Sequence, residues 1–352
     1  MKVNRIRDSF KSLGIEAILV TSTYNRRYMT GFTGSSGVAL ITEEEALFIT
    51  DFRYTEQAKK QAEGFTVVEH KGTIHEEVRS HLEKYGVKRL GFEKDHVTFS
   101  QYETYRDHLG VELVPVSQVL ENLRLIKTPD EIKILKEATD IADAAFKHIL
   151  DYIKPGVKEI DVSNELEFFM RKAGATSSSF DIIVASGLRS ALPHGVASEK
   201  VIESEEFVTL DFGAYYKGYC SDITRTVAVG NVSDELKNIY NIVLESQLLS
   251  MENIKPGLTG KEADAIARDY ITEKGYGPAF GHSLGHGIGL EVHEGPGLHK
   301  RSDLKLEPNM VVTVEPGIYV AGLGGVRIED DTLITETGNE SLSHSTKELL
   351  IL

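Results

Sequence analysis

The second half of this chain repeats itself, and the repeat limits what the chain can fold into. Ile153-Lys-Pro-Gly-Val returns as Ile254-Lys-Pro-Gly-Leu, and Gly174, after a helical stretch, returns as Gly275, both 101 residues later. VTLD at 208–211 returns as VTVE at 312–315, and Ile202-Glu203 ahead of the first as Leu306-Glu307 ahead of the second, both 104 residues later. Matches kept in order mark a duplicated supersecondary unit. They predict two similar αβ halves facing each other across a pseudo-two-fold axis. A cleft on that axis would be lined by corresponding residues from each half.

The repeat leaves the first part of the chain unexplained, and 352 residues exceed one ordinary core. Lys2–Leu13 has the apolar period of an amphipathic helix, followed by short strands at Ala17–Val20, Gly37–Ile41, Ala46–Thr50, Phe65–Glu69, Arg89–Phe92 and Glu112–Pro115. Helical stretches near Tyr54–Ala62, His75–Tyr85 and Phe99–His108 lie between them, which predicts an α/β N-terminal domain with a mixed sheet. No GxGxxG follows the first strand, so no dinucleotide site is expected. Thr128 and Pro129 read as the cap and first residue of a long helix over Asp130–Tyr152. The expected division is a domain at 1–123, a linker at 124–129 and a second domain at 130–352.

Charge and cysteine content narrow the function classes. The net charge of −15 disfavours a nucleic-acid surface. No apolar run is long enough to span a membrane and no signal-peptide core opens the chain. One cysteine, Cys220, permits no internal disulfide, so a cytoplasmic protein is expected.

Both copies of the repeat carry carboxylates in matching places. Thr209 and Asp211 share one strand face, and the following KGYCSDITRTVAV alternates through Cys220, Asp222 and Thr224 on one face. In the second copy Thr313 with Glu315, and Arg327 with Glu329, repeat the design. Four carboxylates in one cleft repel unless protonated or neutralised, and two divalent cations would balance them. Oxygen-rich ligation suits Mn²⁺, with Co²⁺, Fe²⁺ and Zn²⁺ as alternatives. Five of the twelve histidines, His194, His282, His286, His293 and His299, lie within residues 194–299, most in the glycine-rich stretch GHSLGHGIGLEVHEGPG. Such glycines let backbone approach a ligand or metal closely. Taken singly, each acid reads as a strand end; the paired design points to ligands. His299 reads as a surface residue and Cys220 as a buried apolar one.

These segments resemble the M24 "pita-bread" metallopeptidases, whose dinuclear site takes Asp, Asp, His, Glu and Glu in chain order. The matching residues are Asp211 in LDFGA, Asp222 in CSDITRT, His286 in GHSLGHGIG, Glu315 in TVEPGIY and Glu329 in VRIEDD. The resemblance implies an α+β catalytic domain preceded by a creatinase-like N-terminal domain. It implies two divalent metal ions per chain, Mn²⁺ first and Co²⁺ next, bridged by Asp222 and Glu329. Asp211 would complete one ion's shell, and His286 with Glu315 the other's. His194, His282 and His293 would face the substrate, Glu315 would also carry protons, and Arg327 would pair with a carboxylate behind the ligands. The extra N-terminal domain points to the proline-specific branch. The activity implied is that of an Xaa-Pro dipeptidase (prolidase), cleaving the bond before proline with a metal-bridging hydroxide and working as a cytoplasmic homodimer on proline-containing dipeptides or short peptides. The alternative is an Xaa-Pro aminopeptidase acting on longer peptides. A metal-free creatinase-like hydrolase and a non-enzymatic relative are the remaining readings, and the intact ligand set disfavours both.

Overall fold

A computed structural model describes residues 2–352, which divide into two compact units, 2–124 and 125–352. In the first unit helix α1 (Lys2–Leu13) leads into strand β1 (Ala17–Val20). Helix α2 (Thr23–Thr30), strands β2 (Val38–Thr42) and β3 (Ala46–Thr50), helix α3 (Thr55–Gln61) and strand β4 (Thr66–Glu69) follow. Helix α4 (Ile74–Lys84), strand β5 (Arg89–Glu93), helix α5 (Phe99–His108), strand β6 (Glu112–Val116) and helix α6 (Val119–Leu125) close the series. The six strands form one mixed sheet in the order β4-β3-β2-β1-β5-β6, antiparallel at β1–β2 and β2–β3 and parallel elsewhere. The mixed sheet and its strands follow the sequence pattern. Helices α2 and α6 do not: TYNRRYMT lacks an apolar period and is set instead by its ends. The Ser22 side chain accepts the Asn25 N–H, and Gly31 closes the helix in the left-handed region at φ 73°.

In the second unit helices α7 (Pro129–Ile149) and α8 (Glu159–Lys172) pack on the strands that follow. These are β7 (Ser177–Ser178), β8 (Ile183–Ser186), β9 (Glu206–Phe212), β10 (Ala214–Tyr216), β11 (Tyr219–Cys220) and β12 (Ile223–Val229). The order then recurs. Helices α9 (Asp234–Asn253) and α10 (Gly260–Glu273) precede β13 (Gly285–Gly287), β14 (Glu294–Leu298), β15 (Val311–Val314), β16 (Gly317–Val320), β17 (Gly324–Arg327), β18 (Asp330–Ile334) and β19 (Asn339–Ser341). Each copy has its own apolar core, one around Phe146, Leu166 and Val208 and one around Val243, Ala267 and Val312.

Hydrogen bonds repeat as well as elements. In the Lys-Pro-Gly turns Gly156 and Gly257 hold φ at +96° and +92°, which favours glycine at both places. Their N–H groups donate to Ile202 O and Leu306 O at 2.9 and 2.8 Å. β9 pairs antiparallel with β12, and β15 with β18, while β10–β11 and β16–β17 form a side hairpin in each copy. The duplicated unit read from the sequence is present in the fold. One local reading changes: KGYCSDITRTVAV and GVRIED are not continuous strands. Each breaks at its acid, between β11 and β12 at Ser221-Asp222 and between β17 and β18 at Ile328-Glu329. No helix is long and apolar enough to cross a membrane among the described residues.

Candidate metal centre and active site

Two broken hairpins put four carboxylates around one cavity of about 540 Å³. Asp211 sits on β9 opposite Thr224 of β12, whereas Asp222 occupies the corner between β11 and β12. Glu315 and Glu329 lie just past the ends of β15 and β17. His286 projects from β13, and His194, His282, His293 and Arg327 complete the set of sequence-derived candidates, every one of which lines this cavity. Phe180, Ile183, Pro193, Val196 and Val292 supply its apolar wall.

Ligand atoms of Asp222, His286 and Glu329 all lie within 4.8 Å of one another. The His286 Nε2 is 3.7 Å from Asp222 Oδ2 and 3.5 Å from Glu315 Oε1. Its Nδ1 faces Gly287 O at 3.1 Å, which leaves Nε2 free for an ion. Burial lowers the imidazole to about 4, so the ring is neutral and able to ligate at pH 7. Burial, then the charges of Glu329 and Asp211, pushes the Asp222 carboxyl far above the usual carboxylate range. Burial, then Glu315 and Asp211, does the same to Glu329, and burial lifts Glu315 to about 8. Asp211 Oδ1 and Asp222 Oδ1 are buried without a hydrogen-bond partner. Mutually repelling acids, orphaned carboxylate oxygens and a neutral imidazole fit a hard or borderline divalent cation. The cluster is a metal-binding site.

The surrounding groups fix the acids. Thr224 Oγ donates to Glu329 Oε2 at 2.6 Å, and Thr313 Oγ donates to Glu315 Oε1 at 3.2 Å while accepting the His286 N–H at 3.1 Å. Arg327 Nη2 donates to Asp211 Oδ2 at 2.5 Å, so Arg327 pairs with one of the five acids and bases themselves rather than with a carboxylate behind them. Its Nη1 donates to the Tyr319 hydroxyl at 2.7 Å, and that hydroxyl meets His282 Nε2 at 2.9 Å. With His282 Nδ1 at 2.8 Å from Ser283 O, both nitrogens of His282 have protein partners. His293, its ring centroid 4.3 Å from that of His286, and His194 remain exposed at the cavity.

Sequence reasoning placed Thr224 and Thr313 on the acids' strand faces without a role, and it missed Tyr319 and a second cavity of about 350 Å³ lined by Arg268, His299, Lys300 and Arg301 together with His282 and Ser283. His299, read as a plain surface residue, lines it; the run His299-Lys300-Arg301 was the available signal. The glycines also have another purpose than close approach to a ligand. A Cβ on Gly285 would lie 1.9 Å from Thr313 O, and one on Gly287 1.9 Å from Gly295 O. They let β13 lie tightly between its neighbours, which fixes His286.

Residues 133–336 match Metallopeptidase family M24, and residues 2–126 match the Creatinase/Prolidase N-terminal domain. The chain belongs to the M24 metallopeptidases, in the proline-specific branch with the two-domain pita-bread fold. It is similar to an Xaa-Pro dipeptidase from Bacillus anthracis, 66% identical with a TM-score of 0.99, over 100% of this chain and 99% of that one. It is similar to the prolidase from Pyrococcus horikoshii OT3, 42% identical with a TM-score of 0.95, over 99% of each chain. It is also similar to an X-Pro aminopeptidase from Thermotoga maritima MSB8, 42% identical with a TM-score of 0.92, over 98% of this chain and 100% of that one.

Proposed function

We propose that this metallopeptidase is an Xaa-Pro dipeptidase with a dinuclear centre. The observation that carries the dipeptide reading is the cavity lined by Lys300 and Arg301, which meets the metal-site cavity at His282 and Ser283; its Arg268 is paired to Asp264. A dipeptidase must hold a free carboxylate one residue beyond the scissile bond, and Lys300 and Arg301 can supply the counter-charge beside the acids. The 66% identical dipeptidase supports the same reading. The alternative, an Xaa-Pro aminopeptidase, is favoured by the Thermotoga relative.

Asp222 and Glu329 would bridge two ions, Asp211 would complete one shell, and His286 with Glu315 the other. Mn²⁺ is the first choice and Co²⁺ the second. When bound, the ions supply an activated water and polarise the scissile carbonyl. Xaa-Pro is a tertiary amide without an N–H, so no residue of the chain need grip one. Glu315 accepts the water's proton at a carboxylate oxygen and returns it to the leaving proline nitrogen. His194 and His293 donate hydrogen bonds to the tetrahedral intermediate. Arg327 holds Asp211 in place, and Tyr319 fixes His282 in the wall between the two cavities. We place the division between domains at 1–123 and 130–352 with a linker at 124–129, and read the enzyme as a cytoplasmic homodimer whose N-terminal domain closes the partner's cleft, as the family resemblance implies.

The deciding experiment compares Xaa-Pro, its C-terminal amide and Xaa-Pro-Xaa peptides. Xaa-Pro should be cleaved with the highest kcat/KM and the amide should lose at least tenfold. Equal cleavage of tripeptides would give the aminopeptidase reading precedence. Two divalent ions per chain by elemental analysis support the dinuclear centre, and one or none contradicts it.

A further inference from the structure

The two corners that carry Asp222 and Glu329 are each held from the other copy of the repeat. The Glu329 N–H donates to Thr224 O at 3.1 Å, and the Glu329 carboxylate accepts from the Thr224 hydroxyl at 2.6 Å. In the opposite direction, the Asp222 N–H donates to Asp331 Oδ2 at 2.9 Å. Thr224 stands two residues after Asp222, and Asp331 two residues after Glu329, so the two braces occupy corresponding places in the repeat. Each copy thus reaches across the pseudo-two-fold to fix the other copy's acid.

Asp331 is the unexpected member. It is 1% exposed, its Oδ1 has no hydrogen-bond partner, and it stands beside a site already crowded with carboxylates. A buried carboxylate with an unsatisfied oxygen is costly and calls for an explanation. The corresponding residue in the other copy is a neutral threonine. Asp331 is also pinned in place: its own N–H donates to Ser343 Oγ at 3.2 Å and its carbonyl accepts the Leu342 N–H at 2.7 Å. A fixed acceptor is thereby aimed at the backbone N–H of Asp222 itself.

We propose that Asp331 and Thr224 are reciprocal positioning residues, which fix the separation of Asp222 and Glu329 and so determine how tightly the centre holds its metal. The proposal rests on the metal-centre reading above. Residues that orient ligands without touching the ion commonly change affinity by about 10- to 100-fold. Thr224 is further steadied by Arg327 Nε, which donates to its hydroxyl at 3.0 Å. The threonine brace is therefore linked to the Asp211 side of the site as well.

The test measures Mn²⁺ affinity and stoichiometry by titration calorimetry for the whole chain and for Asp331→Ala, Asp331→Asn, Thr224→Val and Thr224→Ser. Asp331→Ala and Thr224→Val should weaken binding on the order of 10- to 100-fold. Asp331→Asn keeps an oxygen for the Asp222 N–H, and Thr224→Ser keeps the hydroxyl, so both should stay close to the parent. Amide hydrogen exchange in metal-free protein gives a second readout: Asp222 should lose protection in Asp331→Ala and keep it in Asp331→Asn. Parent-like affinity in both Asp331→Ala and Thr224→Val overturns the proposal even though the metal centre stands. A parent chain that binds no Mn²⁺ overturns the metal-centre reading and the proposal with it. If Asp331→Ala does not fold, Thr224→Val against Thr224→Ser decides the affinity claim, and Asp331→Asn decides the Asp222 contact. Loss of both affinity and Asp222 protection in Asp331→Asn would count against a simple acceptor role.

Discussion

The two copies of the repeat build the same corner with different residues. In the first copy the β9–β12 ladder runs on to Phe212 opposite Ile223, so Asp211 lies inside it. In the second the β15–β18 ladder stops at Val314 opposite Asp330, so Glu315 and Glu329 both lie beyond it. Asp211 stands inside a ladder, whereas Asp222, Glu315 and Glu329 each stand one residue past a ladder's end. The walls differ too. The first copy gives the cavity Phe180, Ile183, Pro193 and Val196 with one imidazole, His194, while the second gives three imidazoles, His282, His286 and His293, with Arg327 and Val292. The two copies are equivalent frames, each giving two of the four carboxylates, but the first supplies most of the apolar wall and the second most of the imidazoles and the guanidinium.

The sharpest way to break this comparison is to remove one acid from each class. Asp222→Asn and Glu329→Gln should each lose both ions and reduce turnover by at least about 10³-fold, because the two acids are proposed to bridge. Asp211→Asn and Glu315→Gln should each keep one ion more readily. His293→Ala should keep both ions while lowering kcat. Elemental analysis of the purified variants reads all of these, and a variant series with uniform retention would show that the bridging assignment is wrong.

Next in size is the guanidinium that pairs with Asp211, which has no counterpart at its place in the first copy. Arg327 matches Cys220 by place in the repeat, since each stands two residues before its corner acid. Arg327 is 3% exposed and paired to Asp211, so Arg327→Met leaves a buried acid without its partner. In metal-free protein this should cost about 3–5 kcal/mol of stability. Added metal should recover part of the loss, because Asp211 then has another positive charge. Cys220→Ala, at the matching place, should cost only about 1 kcal/mol. Denaturant unfolding with and without Mn²⁺ checks both.

Much of this was legible in the sequence. The repeat, the four acids and one histidine in order, and the mixed N-terminal sheet all rest on local pattern or spacing. The bracing residues were not, because Tyr319, Thr224 and Asp331 acquire their roles from partners many residues away, His282, Glu329 and Asp222. Helix α2 was missed because its amphipathic signal is weak and its caps carry the information. The glycine-rich segment was found for its histidines, but the reason for its glycines needed the neighbouring strands.

A smaller effect concerns pH. Burial and mutual repulsion raise Asp222, Glu329 and Glu315, the last to about 8. A carboxyl raised in the folded state binds more protons there than in the unfolded chain, so metal-free protein loses stability as pH climbs from the ordinary carboxylate range toward 8. Metal binding must expel those protons and is favoured by the same climb. The rise in Tm on adding Mn²⁺ should therefore be larger at pH 8 than at pH 6. A gain that is constant or shrinks with pH would show that the acids do not share protons in this way.

The smallest expected difference lies at the helices that open corresponding parts of the two copies. Helix α10 begins with a complete capping box: the Thr259 side chain accepts the Glu262 N–H, and the Glu262 side chain accepts the Thr259 N–H at 2.8 Å. Helix α8 begins at Lys158, whose side chain caps nothing and instead pairs at the surface with Glu199. The first copy compensates with Glu159, fully buried, which accepts from the Ser186 N–H and hydroxyl at 2.8 and 2.9 Å and from the Ser198 hydroxyl at 2.6 Å. In the second copy that role is closed off: position 260 is glycine, and a Cβ there would lie 2.1 Å from Gly297 O. Helix α10 thus depends on its cap and helix α8 on its buried acid. Thr259→Ala should cost about 1 kcal/mol, while Lys158→Ala should leave the unfolding midpoint unmoved. Glu159→Gln should cost more than either, because the half-buried Arg189 and Ser198 lose their charged acceptor. If Thr259→Ala proves silent and Lys158→Ala destabilises, the two copies start their second helices by the same means, and the division between a capped and an acid-anchored helix fails.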